Sequence, residues 1–291
     1  MKHPLYIVDV FAEAKYEGNQ LAVVLENEGI STDLMQKLAR EMHFSETTFI
    51  TESNIEEKKF KVRIFTPESE LPFAGHPTLG TAYIAQKILL KEKVEELVLD
   101  MKAGVIPVKF NYEGEEPEVL WMRQLPPEFG ETHPVEKFAE FLGLEQEDFD
   151  TEYPIQEVST GVYFYMVPLK TKEALKRVKV DSDKLDEYSR DKKAKWPFMF
   201  CKEPENPENH LKARMITSFT EDPATGSANG CFAGYLVKHR YLGSEKVDVR
   251  VEQGAEVNRP SILYLKAEKK GKVIEVNVGG KVAYVAAGHL V

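Results

Sequence analysis

The chain has 291 residues, 42% of them hydrophobic and 30% charged, the composition of a globular protein with one large or two medium domains. Its 38 Lys and Arg against 48 Asp and Glu give a formal net charge of −10, and an acidic surface argues against a nucleic-acid partner. Cys201 and Cys231 are the only cysteines, too few for a disulfide framework and without metal-ligand spacing, so no metal site and a reducing compartment are expected. No window approaches the roughly 20 apolar residues of a bilayer span. Met1-Lys2-His3-Pro4 opens without the apolar run of a leader. These features read as a cytoplasmic protein with no membrane partner.

Residues 5–11 alternate and are rich in β-branched side chains, which predicts a strand. Gly18-Asn19 turns into an apolar strand over 21–25. Ser31-Thr32-Asp33 starts a helix with apolar positions at Leu34, Leu38 and Met42. Residues 44–51 and 60–66 read as strands. After Gly75, the run Leu79, Ala82, Tyr83, Ala85 and Ile88 predicts a helix apolar on most sides, hence a buried one. Short strands follow at 97–101, 105–110 and 119–122. Residues 124–133 carry Pro126, Pro127 and Gly130, with Pro134 next, and read as a linker. A helix is expected over 135–141, strands at 155–158 and 162–168, a charged, solvated helical stretch over 170–195 and a loop over 203–209. Residues 212–219 read as strand and 228–237 as a second helix rich in small residues. The remainder is strand-rich, at 247–252, 262–266, 273–278 and 282–286. Many short strands around one small-residue helix in each half suggest an α+β fold, a sheet curled around a helix, rather than a βαβ array.

Two stretches repeat one pattern. Arg63, Thr66, Glu70, Pro72 and Gly75 recur as Arg214, Thr217, Glu221, Pro223 and Gly226, each 151 positions later, with no gap. Each copy leads from a β-rich run through a Pro and a Gly into a helical pattern, which points to one supersecondary unit used twice. Two such helix starts brought face to face make a cleft rich in free backbone N–H groups, suited to a small anion and above all to a carboxylate.

Four places carry candidate chemistry. Glu46 interrupts the apolar run of 44–50. It reads either as an exposed residue of an edge strand or as a partly desolvated acid able to take up and return a proton near neutral pH. In Ala74-Gly75-His76-Pro77, Gly75 permits close backbone approach, His76 is expected at or near the helix cap and Pro77 suits the first turn. In 221–228, Ser227 is expected as the N-cap and Asp222 precedes the turn. Asn19 either closes its turn or meets a ligand. Either of the two helix turns could also be a plain capping turn. Their constant offset favours the functional reading. The sequence has no GxGxxG opening a βαβ unit, no P-loop and no HExxH. Ala224-Thr225-Gly226-Ser227-Ala228 is not a hydrolase elbow, because Asn229 stands two after Ser227. The Lys-rich run at 192–195 reads as a solvated face.

Taken together, several segments resemble the PhzF family of phenazine-biosynthesis isomerases. They are Asp9-Val10-Phe11, Gly18-Asn19 with Leu21-Ala22-Val23-Val24, Phe44-Ser45-Glu46-Thr47-Thr48-Phe49, Arg63-Ile64-Phe65-Thr66-Pro67, the run from Glu70 to Ala82, and the run from Glu221 to Ala228. The resemblance implies a diaminopimelate-epimerase-like fold of two pseudo-symmetric domains, each a curled sheet around a central helix, with the site between them. It places the domains at 1–123 and 124–279, with the last strand, 280–291, returning to the first. By similarity, Glu46 is the proton-shuttling acid/base. His76, Asp222 and Ser227 are polar partners that hold substrate and relay protons. Gly75 and Gly226 mark the N–H groups that cradle a carboxylate, and Asn19 is a substrate-binding residue. Related epimerases and racemases carry a thiol at each helix start, where this chain has His76 and Ser227, so two-thiol epimerisation is not implied. Gln20 stands where the family typically has Pro, a difference at the substrate rim. The resemblance implies no cofactor, a small carboxylate substrate and a homodimer. The expectation is an isomerase that moves a proton on that substrate. An epimerase or racemase, or a binding protein that captures a small anion, stays as the alternative.

Overall fold

A computed structural model describes residues 3–25 and 29–291. Met1 and Lys2, part of the opening read above for a leader, lie outside the described residues. The chain divides into two compact units, Met1–Arg123 with Gly279–Val291, and Gln124–Val278.

The first unit contains β1 (His3–Val10), β2 (Asn19–Leu25), α1 (Thr32–Met42), β3 (Glu46–Asn54), β4 (Lys59–Phe65), β5 (Glu70–Leu71), α2 (Gly75–Ile84), β6 (Glu96–Met101), β7 (Gly104–Glu113) and β8 (Glu116–Arg123). Antiparallel pairs β1–β2, β3–β4, β6–β7 and β7–β8 are joined by the parallel pairs β2–β3 and β4–β6, and β5 adds to β4. Helix α2 is enclosed by this sheet, lying against β1, β2, β3, β6, β7 and β8. All ten of its residues are buried, which explains why its sequence shows no polar face. Close packing depends on Gly80: a Cβ there would stand 2.6 Å from Leu21 and 2.8 Å from Val10. The hydroxyls of Thr48 and Thr81 satisfy one another at 2.8 Å within this apolar setting.

The second unit holds β9 (Glu128–His133), α3 (Val135–Leu142), β10 (Ile155–Ser159), β11 (Tyr163–Pro168), α4 (Lys172–Arg177), α5 (Ser182–Ser189), β12 (Trp196–Cys201), β13 (Leu211–Ile216), β14 (Glu221–Asp222), α6 (Gly226–Lys238), β15 (Lys246–Gln253), β16 (Ser261–Lys270) and β17 (Val273–Gly280). The plan repeats: β10–β11 and β12–β13 are antiparallel, β11–β12 and β13–β15 are parallel, β14 adds to β13, and α6 packs on β10, β11, β15 and β16. Gly234 brings α6 against Pro127, 2.7 Å from where a Cβ would sit.

Three sequence readings need correction. Residues 128–133 are a strand, not linker, because β9 finds its partner in β10. The stretch at 170–195 holds two short helices, α4 and α5, whose Leu175 and Leu185 join an aromatic core around Phe138 and Tyr165. The strand read over 212–219 stops at Ile216, where a turn closes by Thr217 N–H donating to the Thr220 carbonyl at 2.8 Å.

The last strand, β18 (Val282–Leu290), pairs antiparallel with β1 in the first unit, Val10 opposite Val282. In the second unit β9 holds the matching place beside β10.

Candidate active site

The repeated motif is a structural repeat. Arg63 grips Glu70 through two parallel hydrogen bonds, Nε to Oε1 at 2.9 Å and Nη2 to Oε2 at 3.0 Å. Arg214 grips Glu221 identically, both at 2.8 Å. These forked contacts pin a two-residue strand to its neighbour, β5 on β4 and β14 on β13, in equivalent registers. Thr66 and Thr217 close the intervening turns, each hydroxyl accepting from two backbone N–H groups. The chain then enters α2 or α6 from an extended residue, Ala74 or Thr225, with no side-chain cap. Thr225 holds the cap position, so Ser227 is the second helical residue and not the N-cap. His76 occupies the equivalent place in α2. The N–H groups of Gly75 and His76, and of Gly226, Ser227 and Ala228, therefore have no acceptor inside their own helices.

In the first unit this turn meets the candidate acid. Glu46 opens β3 opposite Leu21 of parallel β2, and its side chain is 15% exposed, so the edge-strand reading fails. Nε2 of His76 lies 3.4 Å from Oε2 of Glu46, and both atoms are sealed from solvent. Burial drives the imidazole pKa down to about 3, against a hydrogen bond that the ring donates to the backbone of Gln20. His76 is thus neutral at physiological pH and supplies no cation to the acid beside it. Gln20 contributes its main chain here, not its side chain. One residue earlier, Asn19 is buried at the start of β2 opposite Val10. Gly18 before it has φ 65°, and a Cβ would lie 2.3 Å from the Val10 carbonyl, so the turn requires glycine.

In the second unit the turn is held differently. The Thr225 hydroxyl donates to Oδ2 of Asp222 at 2.7 Å. Gln253, at the end of β15, donates to the Asp222 carbonyl at 2.9 Å and to the Thr225 hydroxyl at 3.0 Å. Its own carbonyl accepts from the Thr225 N–H at 3.2 Å and from the Asn229 amide at 3.0 Å. Ser227 is half-buried, and its carbonyl accepts from Thr160 at 3.5 Å. The Cys231 thiol, one turn further along α6, is enclosed against Thr160 and the Val162 carbonyl, and burial pushes its pKa up to about 12. It is an inert structural thiol. Sequence reading overlooked Gln253 and Thr225. Their only signal was the Gln253-Gly254 pair ending a strand, where Gly254 has φ 82° and abuts the Pro223 carbonyl.

So the structure brings Glu46 and His76 together, with Gln20 and Asn19 adjoining. Separately it gathers Asp222 with Thr225 at the start of α6. Among the described residues no group of three or more His, Cys, Asp or Glu could hold a metal ion, and no helix is long and apolar enough to cross a membrane.

The curled sheet around a buried helix, built twice, is the fold of an epimerase-like class. A probable proline racemase from Agrobacterium radiobacter aligns at a TM-score of 0.66 with 9% identity, covering 99% of this chain and 93% of its own, a likeness of fold alone. The chain belongs to the PhzC-PhzF family of phenazine biosynthesis-like proteins, whose model matches residues 8–288. A PhzF-family protein from Bacillus anthracis superposes at a TM-score of 0.90 with 26% identity, covering 100% of this chain and 99% of that one. The trans-2,3-dihydro-3-hydroxyanthranilate isomerase of Pseudomonas aeruginosa is 32% identical over 292 residues, 99% of each chain. Like the relatives that bear that name, the protein is an isomerase.

Proposed function

We propose that this isomerase moves a proton between positions of a small carboxylate-bearing substrate without a cofactor, and that Glu46 is the acid/base. The observation that carries this reading is the Glu46–His76 contact. It places a carboxyl group largely shielded from water against a neutral imidazole, at the uncapped start of a buried helix. Burial without a cationic histidine keeps such an acid from being locked as an ion pair, which suits a group that must both accept and return a proton. Glu46 removes a proton from an activated carbon and delivers it elsewhere on the same face. His76, Asp222 and Ser227 hold the substrate and relay protons, with Asn19 as a further binding group. Backbone N–H groups around Gly75 and Gly226 bind the substrate carboxylate and stabilise the enolate-like charge that develops. We assign the working form to a homodimer, by family likeness.

The substrate named for the Pseudomonas aeruginosa relative, trans-2,3-dihydro-3-hydroxyanthranilate, is the first compound to try. Incubated with the protein in D₂O and followed by NMR, it is expected to isomerise and take up deuterium at carbon. Glu46→Gln is expected to slow both by roughly 10²–10⁴-fold. Full turnover by that variant would remove Glu46 as the base. Deuterium entry with inversion of one centre would make the protein an epimerase, and tight binding without exchange at carbon would make it a binding protein.

A further inference from the structure

Equivalent positions of the two units differ in one telling place. Pairing of β13 with β15 sets Lys212 opposite Glu252, and pairing of β4 with β6 sets Lys61 opposite Asp100, so the next residues, Gln253 and Met101, occupy the same place. Both reach the helix start. The Met101 sulfur lies 3.8 Å from the Thr78 hydroxyl, whose proton goes to the Ala74 carbonyl at 2.7 Å, and Gln253 receives the Asn229 amide on its oxygen at 3.0 Å. The turn they serve also differs. Opposite Ile64 of β4 stands Leu71, whereas opposite Met215 of β13 stands Asp222. The polar brace thus occurs in the unit that has a carboxylate, Asp222, where the other has Leu71.

The hydrogen-bond directions leave little freedom. Both N–H groups of the Gln253 amide are spent, one on the Asp222 carbonyl and one on the Thr225 hydroxyl. Having accepted there, that hydroxyl directs its own proton to Oδ2 of Asp222. The Gln253 oxygen takes the Thr225 N–H and the Asn229 amide, and Asn229 also donates to the Thr225 carbonyl at 3.0 Å. Gln253 is 2% exposed, and Gly254 behind it leaves no room for the strand end to shift, since a Cβ there would meet the Pro223 and Arg259 carbonyls within 2.4 Å.

We propose that Gln253 is a positioning residue, aiming the carboxylate of Asp222 at substrate through the hydroxyl of Thr225. The claim rests on the role given to Asp222 above. It is tested by comparing Gln253→Met, which transplants the first unit's residue, with Thr225→Val and Thr225→Ser. Two measurements are made: turnover of trans-2,3-dihydro-3-hydroxyanthranilate, and amide hydrogen exchange read by mass spectrometry. Gln253→Met and Thr225→Val are expected to lower kcat by about tenfold or more, as misplacement by a fraction of an ångström does, with KM within about twofold. Thr225→Ser, which keeps the hydroxyl, is expected to recover kcat to within about threefold of the unaltered protein. Gln253→Met is also expected to speed exchange in 222–229 and to leave 71–78 unchanged. Unaltered kcat in Thr225→Val, equal losses in the Ser and Val variants, or unchanged exchange over 222–229 in Gln253→Met would each overturn it. Should the unaltered protein leave this substrate untouched, the catalytic reading fails for that compound, and the exchange result alone decides whether the brace exists. If Gln253→Met does not fold, the Thr225 pair carries the test.

Discussion

The two units use one scaffold and equip it differently. In both, an Arg–Glu fork fixes a short strand, a Thr closes the turn and an uncapped buried helix begins one residue before the candidate polar group. The first unit sets an acid at the head of β3, in contact with His76. The second has Trp196 at the matching head of β12, in register with Phe164 as Glu46 is with Leu21, and puts its carboxylate on the turn instead. The repeated geometry is shared, and a few side chains separate a half with a buried carboxyl against an imidazole from a half with a polar hydrogen-bonded framework.

That comparison can be broken most decisively at Glu46. Glu46→Gln is expected to reduce kcat by roughly 10²–10⁴-fold while the protein remains folded, since one positioned acid/base group is worth that much. The variant Trp196→Phe, at the equivalent place, should leave kcat within about threefold, and steady-state kinetics on the two decides whether the units differ in chemistry. Next come the arginines. Arg214 is 8% exposed and also donates to the Leu175 carbonyl at 2.8 Å, whereas Arg63 is 27% exposed. Urea unfolding is expected to show a loss of about 3 kcal/mol for Arg214→Ala, which strands a partly buried glutamate, and about 1 kcal/mol for Arg63→Ala.

Acid should weigh on the first unit through His76, with His133 and His239 of the second, which burial also depresses, adding loss of the same sign. The folded pKa of His76 is depressed to about 3 from an unfolded value of 6.5, so its contribution is complete above pH 6.5 and is lost as pH falls towards 3. Each pH unit in that window is expected to cost up to about 1.4 kcal/mol, and His76→Asn should flatten the slope of stability against pH. The last effect concerns packing. Gly80→Ala drives a methyl into Leu21 and Val10, and Gly234→Ala drives one into Pro127. Each is expected to cost about 1–2 kcal/mol by thermal melting, the strain exceeding the gain in helix propensity.

Local chemistry was legible in the sequence, and distant pairing was not. The 151-residue offset identified both turns because Arg, Thr, Glu, Pro and Gly there act within a few residues of one another. The buried helices were legible because Leu79, Ala82 and Tyr83 leave no polar face. Glu46 stayed ambiguous, since its burial depends on β2 and α2 rather than on its neighbours in sequence. Residues 128–133 read as linker because Pro126 and Pro127 dominate locally, while the strand forms only when β10 arrives. Ser227 resembled a cap because Ser after Gly so often is one, but Thr225 already holds the extended conformation. Gln253 acts across 28 and 31 positions, on Thr225 and Asp222, beyond the reach of any local pattern.

Strand β18 bears on how the molecule comes into being. Its partner β1 was made 272 positions earlier, measured from Val10 to Val282. During synthesis, residues 124–278 can therefore complete their own sheet while the older half still waits with one flank of β1 bare. The first half to leave the ribosome is expected to be the last to finish, a long-range closure of the kind that slows folding, which pulse-labelled hydrogen exchange would show as late protection of β1.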